Sequence, residues 1–216
     1  MYRASPAAFA WPRGNETGKL GLGLTHFAVR VASDVVTPTT KETDLADESL
    51  VAGLRERDSR ALERVLEIHG SEIQAVAYLI LRNEHDAEET LADTLVTAWR
   101  KAGTIRDPNG LRAWLLTTAA RLALRRRRGF RPQVVSLDVA PDVAARDASP
   151  VDRVALQAAI NALPPRMRAV VALHDVADLP LSEVATAVGR GENTVKSQLR
   201  EARSRLRRAL DDEGET

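Results

Sequence analysis

Four histidines, His26, His69, His85 and His174, are the side chains best suited to proton transfer near neutral pH, and they are scattered along the chain. No Ser-His-Asp order, P-loop or glycine-rich nucleotide loop accompanies them. His85, Glu88 and Glu89 fall at i, i+3 and i+4, a spacing that on a helix can gather metal ligands. A histidine at a helix start beside solvated acids accounts for the same three residues more simply. The chain has no cysteine, which removes disulfides and thiolate metal sites and suits a reducing compartment. The expectation is a protein that is not an enzyme and holds no metal or cofactor.

The chemistry these residues do support is anion contact. A formal net charge of +1 conceals strong segregation. Arg112, Arg121, Arg125, Arg126, Arg127, Arg128 and Arg131 follow one another with no acid among them. Between Asn193 and Leu210, six basic residues stand against Glu201 alone. The acids gather elsewhere: Asp86, Glu88, Glu89 and Asp93 in one segment, Asp138, Asp142, Asp147 and Asp152 in another. Two basic segments set apart by acidic ones predict contact with a polyanion at two places and other partners at the acidic surfaces.

The elements that carry these residues are helical. Ala, Leu, Val and Arg dominate, while Gly and Pro sit at the edges of periodic segments. Thr43-Asp44 is a cap for a helix through Leu54, and Asp58-Ser59 for a second that passes a weak point at Gly70 and reaches Ile80. Asn83 caps a third, with Ala87, Leu91, Leu95 and Ala98 along its apolar stripe and acids in its first turns, where they complement the helix dipole. A fourth spans 111–128 and stops at Gly129 and Pro132. Residues 131–149 lose periodicity and collect Pro and Asp, the composition of an acidic linker. Helices resume over 150–163, 166–176, 182–188 and 193–210. The expected fold is all-α: two small helical domains, 43–130 and 150–211, joined by a flexible acidic linker over 131–149. A poorly ordered extension over 1–42, read as lying upstream of the natural start, and a short tail over 212–216 flank them. The apolar stretch "LGLGLTHFAVRVA", 20–32, is short and interrupted by His26 and Arg30, too weak for a membrane span and poor as a signal peptide. A cytoplasmic protein is expected.

The segment "LSEVATAVGRGENTVKSQLREARSRLRRAL" has the form of a helix-turn-helix. Leu181, Val184, Ala185 and Val188 give a short first helix its apolar face, and Gly189 and Gly191 supply a tight turn. In the second helix, Val195, Leu199, Ala202, Leu206 and Leu210 seat one face, and Lys196, Arg200, Arg203 and Arg207 run parallel to it. Such a helix presents Asn193, Thr194, Lys196, Ser197, Gln198 and Arg200 to base edges, with Arg203 and Arg207 reaching phosphates.

"DAEETLADTLVTAWRKAG" followed by "LRAWLLTTAARLALRRRR" resembles region 2 of bacterial extracytoplasmic-function (ECF) sigma factors of the sigma-70 family. The segment from Ile160 to Leu210 resembles their region 4. The resemblance spans roughly residues 44–210, with both blocks in order and a linker between. It implies that Asp86, Glu88, Glu89 and Asp93 dock on the β′ clamp of core RNA polymerase. It implies that the fourth helix, through Arg112, Arg121, Arg125, Arg126, Arg127 and Arg128, faces the −10 promoter element and helps open it. Region 4 then reads the −35 element and meets the β flap. Trp99 and Trp114 are expected as core anchors. An anti-sigma partner is common in the family, and no motif here demands one.

The chain departs from the family pattern in places. Glu89 replaces an Asp of the acidic helix, Ala92 stands at a Gln position and Asp93 at a Glu position. Arg121 and Arg125 occupy positions where relatives often carry Asn and Asp. Charge survives these changes, so the helix assignments follow more directly than any −10 sequence. The alternative reading is a helix-turn-helix regulator that acts without polymerase docking, which would leave the acidic helix and the second basic helix without a role.

Overall fold

A computed structural model of the chain describes residues 40–129 and 150–211, with side chains from Asp47 to Arg127 and from Leu156 to Ala209. Most of the expected extension, the linker and the tail lie outside the described residues. Among those described, the chain forms eight α-helices and no strand. They are α1 (Thr40–Glu56), α2 (Ser59–Leu81), α3 (Glu84–Lys101), α4 (Leu111–Gly129), α5 (Pro150–Ala162), α6 (Pro165–Val171), α7 (Leu181–Val188) and α8 (Glu192–Asp211).

The caps are local and chemical. Asp58 accepts from the Arg60 amide at 3.0 Å to start α2, and Asn83 accepts from the Asp86 amide at 2.9 Å to start α3. Between them, Arg82 takes a left-handed conformation, φ 59°, and its amide donates to the Tyr78 carbonyl to close α2. α1 begins at Thr40, a turn earlier than Thr43 predicts, in a sequence with no proline to stop it. α2 runs unbroken through Gly70, which is buried. The glycine that matters for packing is Gly53 in α1: a Cβ there would lie 2.7 Å from the Ala61 Cβ, so α1 and α2 touch closely at that point.

α2, α3 and α4 pack on one another around Val65, Ile73, Val76, Ile80, Leu115, Leu116, Ala119 and Ala123. The inner stripe of α3 differs from the expected Ala87, Leu91, Leu95 and Ala98. Ala87, Thr90, Thr94 and Ala98 are buried, while Leu91 and Leu95 pack at its margin. The threonine hydroxyls donate to the carbonyls one turn back, Thr90 to Asp86 and Thr94 to Thr90, each at 2.7 Å. With its hydrogen bond satisfied locally, threonine acts as a small residue that lets neighbouring helices come near. Trp99 and Trp114 pack against the core as expected.

In the second half, the helix predicted over 166–176 is α6 followed by a π-helical turn, Ala172–Val176, closed by the Ala177 amide on the Ala172 carbonyl at 2.9 Å. α7 and α8 form the helix-turn-helix. Gly189 has φ 65°, a conformation that a residue with a Cβ adopts with strain. Gly191 has no positive φ, so the turn depends on one glycine rather than two. Val195, Leu199, Ala202 and Leu206 are buried as their spacing predicts, and the Leu210 side chain lies outside the described residues.

The two halves are in contact. α4 lies against α7, and α2 against α6. The contact is polar as well as apolar: Arg168 of α6 is buried and donates twice to the Ile80 carbonyl at the end of α2, at 3.1 and 2.8 Å.

Candidate nucleic-acid interface

On α8, Val195, Leu199, Ala202 and Leu206 fix the helix on its bed, which decides what faces out. Asn193, Thr194, Lys196, Ser197, Arg200 and Arg207 are all exposed. Ser197 Oγ donates to the Asn193 and Thr194 carbonyls at 3.1 and 2.9 Å and so leans along its own helix. Gln198 turns partly inward: its Oε1 is buried and has no hydrogen-bond partner among the described residues.

Arg203 turns inward as well. Its Nε lies 3.1 Å from Asp175 Oδ2 and its Nη2 contacts Asp175 Oδ1, a bidentate pair with the carboxylate almost fully buried. The exposed basic stripe is therefore Lys196, Arg200 and Arg207. Arg190, in the turn between the two glycines, is also exposed, a position that helical periodicity does not single out.

The arginines of α4 divide by environment. Arg112 makes a bidentate pair with Glu72 of α2, Nε to Oε2 at 2.9 Å, and its Nη2 donates to the Ala177 carbonyl, also at 2.9 Å. Arg121 Nη2 donates to the Thr186 carbonyl of α7 at 3.0 Å. Arg125 is exposed, and Arg127 is half-buried. The Arg128 side chain lies outside the described residues.

Arg126 crosses to α3, where Nη1 bonds Glu89 and Nη2 lies 2.8 Å from Asp93 Oδ2. Burial alone would lower its pKa; the hydrogen bonds and charges of Glu89 and Asp93 outweigh that, and the net shift is upward.

Four acids were expected to share the docking face of α3. Glu88, Glu89 and Asp93 are exposed, and Asp86 is half-buried. Val96, a turn beyond, is 46% exposed, an apolar side chain on an otherwise charged surface. His85 Nε2 lies 3.2 Å from Glu89 Oε1. Among the described residues no three His, Asp or Glu side chains are grouped to hold a metal ion, and no helix is long and apolar enough to cross a membrane.

A helical bundle with a basic helix-turn-helix on one side, and a second arginine-bearing helix beside an acidic one, has the form of a DNA-binding protein. Residues 65–131 match the family model for sigma-70 region 2, and residues 153–206 match that for sigma-70, region 4. The chain is 32% identical over 167 residues to the ECF RNA polymerase sigma factor SigM of Mycobacterium tuberculosis, covering 76% of this chain and 85% of that one. It is 29% identical over 202 residues to SigE of Mycolicibacterium smegmatis, covering 86% and 75% respectively.

Its fold resembles that of CnrH, solved with the cytosolic domain of CnrY, at a TM-score of 0.56 and 24% identity over 77% of this chain and 98% of that one. A similar likeness, TM-score 0.56 and 23% identity over 69% and 96%, joins it to RpoE of Bartonella quintana, solved with the anti-sigma factor NepR. The chain belongs to the ECF group of the sigma-70 family of RNA polymerase sigma factors. It is an alternative sigma factor, a transcription initiation factor rather than an enzyme, and its partners are core RNA polymerase and promoter DNA. A regulator acting without polymerase is not favoured, because region 2 accompanies region 4 in the same chain.

Proposed function

We propose that residues 43–130 work as region 2 and residues 150–211 as region 4, with the two promoter elements divided between α4 and α8. α8 reads the −35 element through Asn193, Thr194, Lys196 and Arg200, with Arg207 and Arg190 on phosphates. Arg203 is left to hold the domain together through Asp175. The observation that carries this reading is the pairing of a buried Val195, Leu199, Ala202 and Leu206 seat with an exposed Lys196, Arg200 and Arg207 stripe on one helix. Major-groove readers are built this way, with base contacts near the helix start and phosphate contacts beyond.

α4 serves the −10 element, with Arg125 presented directly. Arg121 donates to a carbonyl of α7, and Arg112 to the Ala177 carbonyl and to Glu72 of α2, so their full use on DNA requires those contacts to open. Glu88, Glu89 and Asp93, with Val96 as an apolar contact, form the face for the β′ clamp, and Asp86 supports it at the helix start. Region 4 also meets the β flap. The protein works in the cytoplasm, in keeping with the absence of a membrane-spanning helix among the described residues. An anti-sigma partner is proposed by analogy with the complex of RpoE and NepR.

Run-off transcription with purified core polymerase tests the whole reading. Replacing Lys196 or Arg200 with alanine is expected to reduce −35-dependent transcript, each base-edge contact contributing about 1–3 kcal/mol. Unchanged transcript from both variants would remove α8 from the −35 element. Tight footprinting by the protein alone, with no association with core, would return the regulator reading.

A further inference from the structure

Arg126 joins the two faces that the proposed function assigns to different partners. It leaves α4, the promoter helix, and is shared by Glu89 and Asp93 of α3, the polymerase helix. None of the three is sealed in the core: Arg126 is 26% exposed, Glu89 47% and Asp93 54%. Ion pairs at this exposure add little to folding and exchange partners readily. Glu88, one residue from Glu89, is exposed and takes no part in the pair.

We infer that Arg126 is a positioning residue that couples polymerase docking to promoter contact. In the free protein the guanidinium is shared by the Glu89 and Asp93 carboxylates and offsets one of their two negative charges. A cationic polymerase surface that takes those carboxylates releases Arg126, and its planar fork then pairs with a promoter phosphate. Each partner alone must break the ion pair to gain its own contact, whereas the two together satisfy all three charges. By linkage, core then strengthens DNA contact by the factor with which DNA strengthens core binding. The inference rests on the reading of α3 as polymerase face and α4 as promoter face.

The experiment uses full-length protein carrying Arg126→Gln, the pair Glu89→Gln with Asp93→Asn, or Arg126→Lys. Core affinity is measured by fluorescence without DNA, and binding to a −10 oligonucleotide is measured with and without core. Arg126→Gln is expected to tighten core binding by about two- to fivefold while weakening −10 binding by the holoenzyme. The double acid variant is expected to do the reverse, binding the oligonucleotide more tightly without core and core more weakly. Arg126→Lys, which keeps the charge but loses the fork, is expected to fall between the parent protein and Arg126→Gln.

A structural strap would lower both affinities together when Arg126 is lost. That result, or no change in either affinity, overturns the inference. Glu88→Lys separates the two levels. If it weakens core binding while Arg126→Gln lowers both affinities, the coupling fails and the docking face stands. If it leaves core binding unchanged, the docking face itself fails.

Discussion

Replacing Arg168 with alanine should destabilise the protein more than any surface arginine would. The guanidinium makes four hydrogen bonds, all to backbone carbonyls: two to Ile80, at 3.1 and 2.8 Å, one to Asn161 at 3.1 Å and one to Leu163 at 2.8 Å. Ile80 is in the last turn of α2, where carbonyls lack intrahelical donors, so Arg168 caps a helix of the other half. Among the described residues no carboxylate pairs with it. Burial, with the like charges of Arg127 and Arg82 adding to it, pushes its pKa down to about 10, so it stays charged at neutral pH and its desolvation offsets part of the gain.

Alanine would leave three carbonyls without this donor, at about 1–3 kcal/mol each before water enters the space left behind. The net loss expected is about 2–4 kcal/mol. With an m-value near ~2 kcal/mol/M in urea, the unfolding midpoint should fall by about 1–2 M. Arg168→Lys, which keeps the charge but loses the fork, should recover only part of that. Because the contact joins the two halves, small-angle scattering of the alanine variant should also show a larger radius of gyration under native conditions. A midpoint shift below about 0.5 kcal/mol equivalent would refute the capping role. An unchanged radius would refute the part given to Arg168 in holding the halves together.

Other perturbations test separate contacts. Asp175→Asn leaves Arg203 partly buried without its carboxylate and should cost about 2–4 kcal/mol by thermal unfolding, while a surface pair such as Arg205–Glu201 should cost under about 1 kcal/mol. Gly53→Ala forces a Cβ to 2.7 Å from the Ala61 Cβ, between two backbones that cannot swing aside; despite about 1 kcal/mol of better helix propensity, it should lower the unfolding midpoint, and a gain in stability would show that α1 stands farther from α2. Arg121→Asn shortens the side chain that reaches the Thr186 carbonyl, and hydrogen exchange at α7 should rise; unchanged protection would remove Arg121 from the contact between the halves.

What could be read from the sequence was what depends on neighbours a few residues away. Asp58 and Asn83 announced the helix starts because the amides that donate to their side chains lie within the next turn, and Val195, Leu199, Ala202 and Leu206 announced the seat of α8 because helical period alone buries them. The inner face of α3 was misread because Thr90 and Thr94 count as polar, although each satisfies its hydroxyl on its own helix and packs like a small apolar residue. Arg168 and Arg203 escaped for a different reason. An arginine is counted as surface until a distant acceptor claims it, and Ile80 and Asp175 lie 88 and 28 residues away.

The same physics bears on the arginine run in α4. A guanidinium is planar, permanently charged and built of parallel donors, so its hydrogen bonds can be satisfied by a phosphate, a carboxylate or backbone carbonyls. Composition therefore predicts anion contact without saying which acceptor holds each arginine in the free protein. Here Arg112 is held by the Glu72 carboxylate and the Ala177 carbonyl, Arg121 by the Thr186 carbonyl and Arg126 by two carboxylates of α3, while Arg125 faces solvent. Lysines in these places would keep the charge but lose the bidentate fit that lets each site hold its side chain in a defined direction. Arg121 then has a physical sense in this chain: at 3.0 Å from the Thr186 carbonyl, it joins α4 to the helix-turn-helix, a span that an asparagine at this position would not have the reach to make.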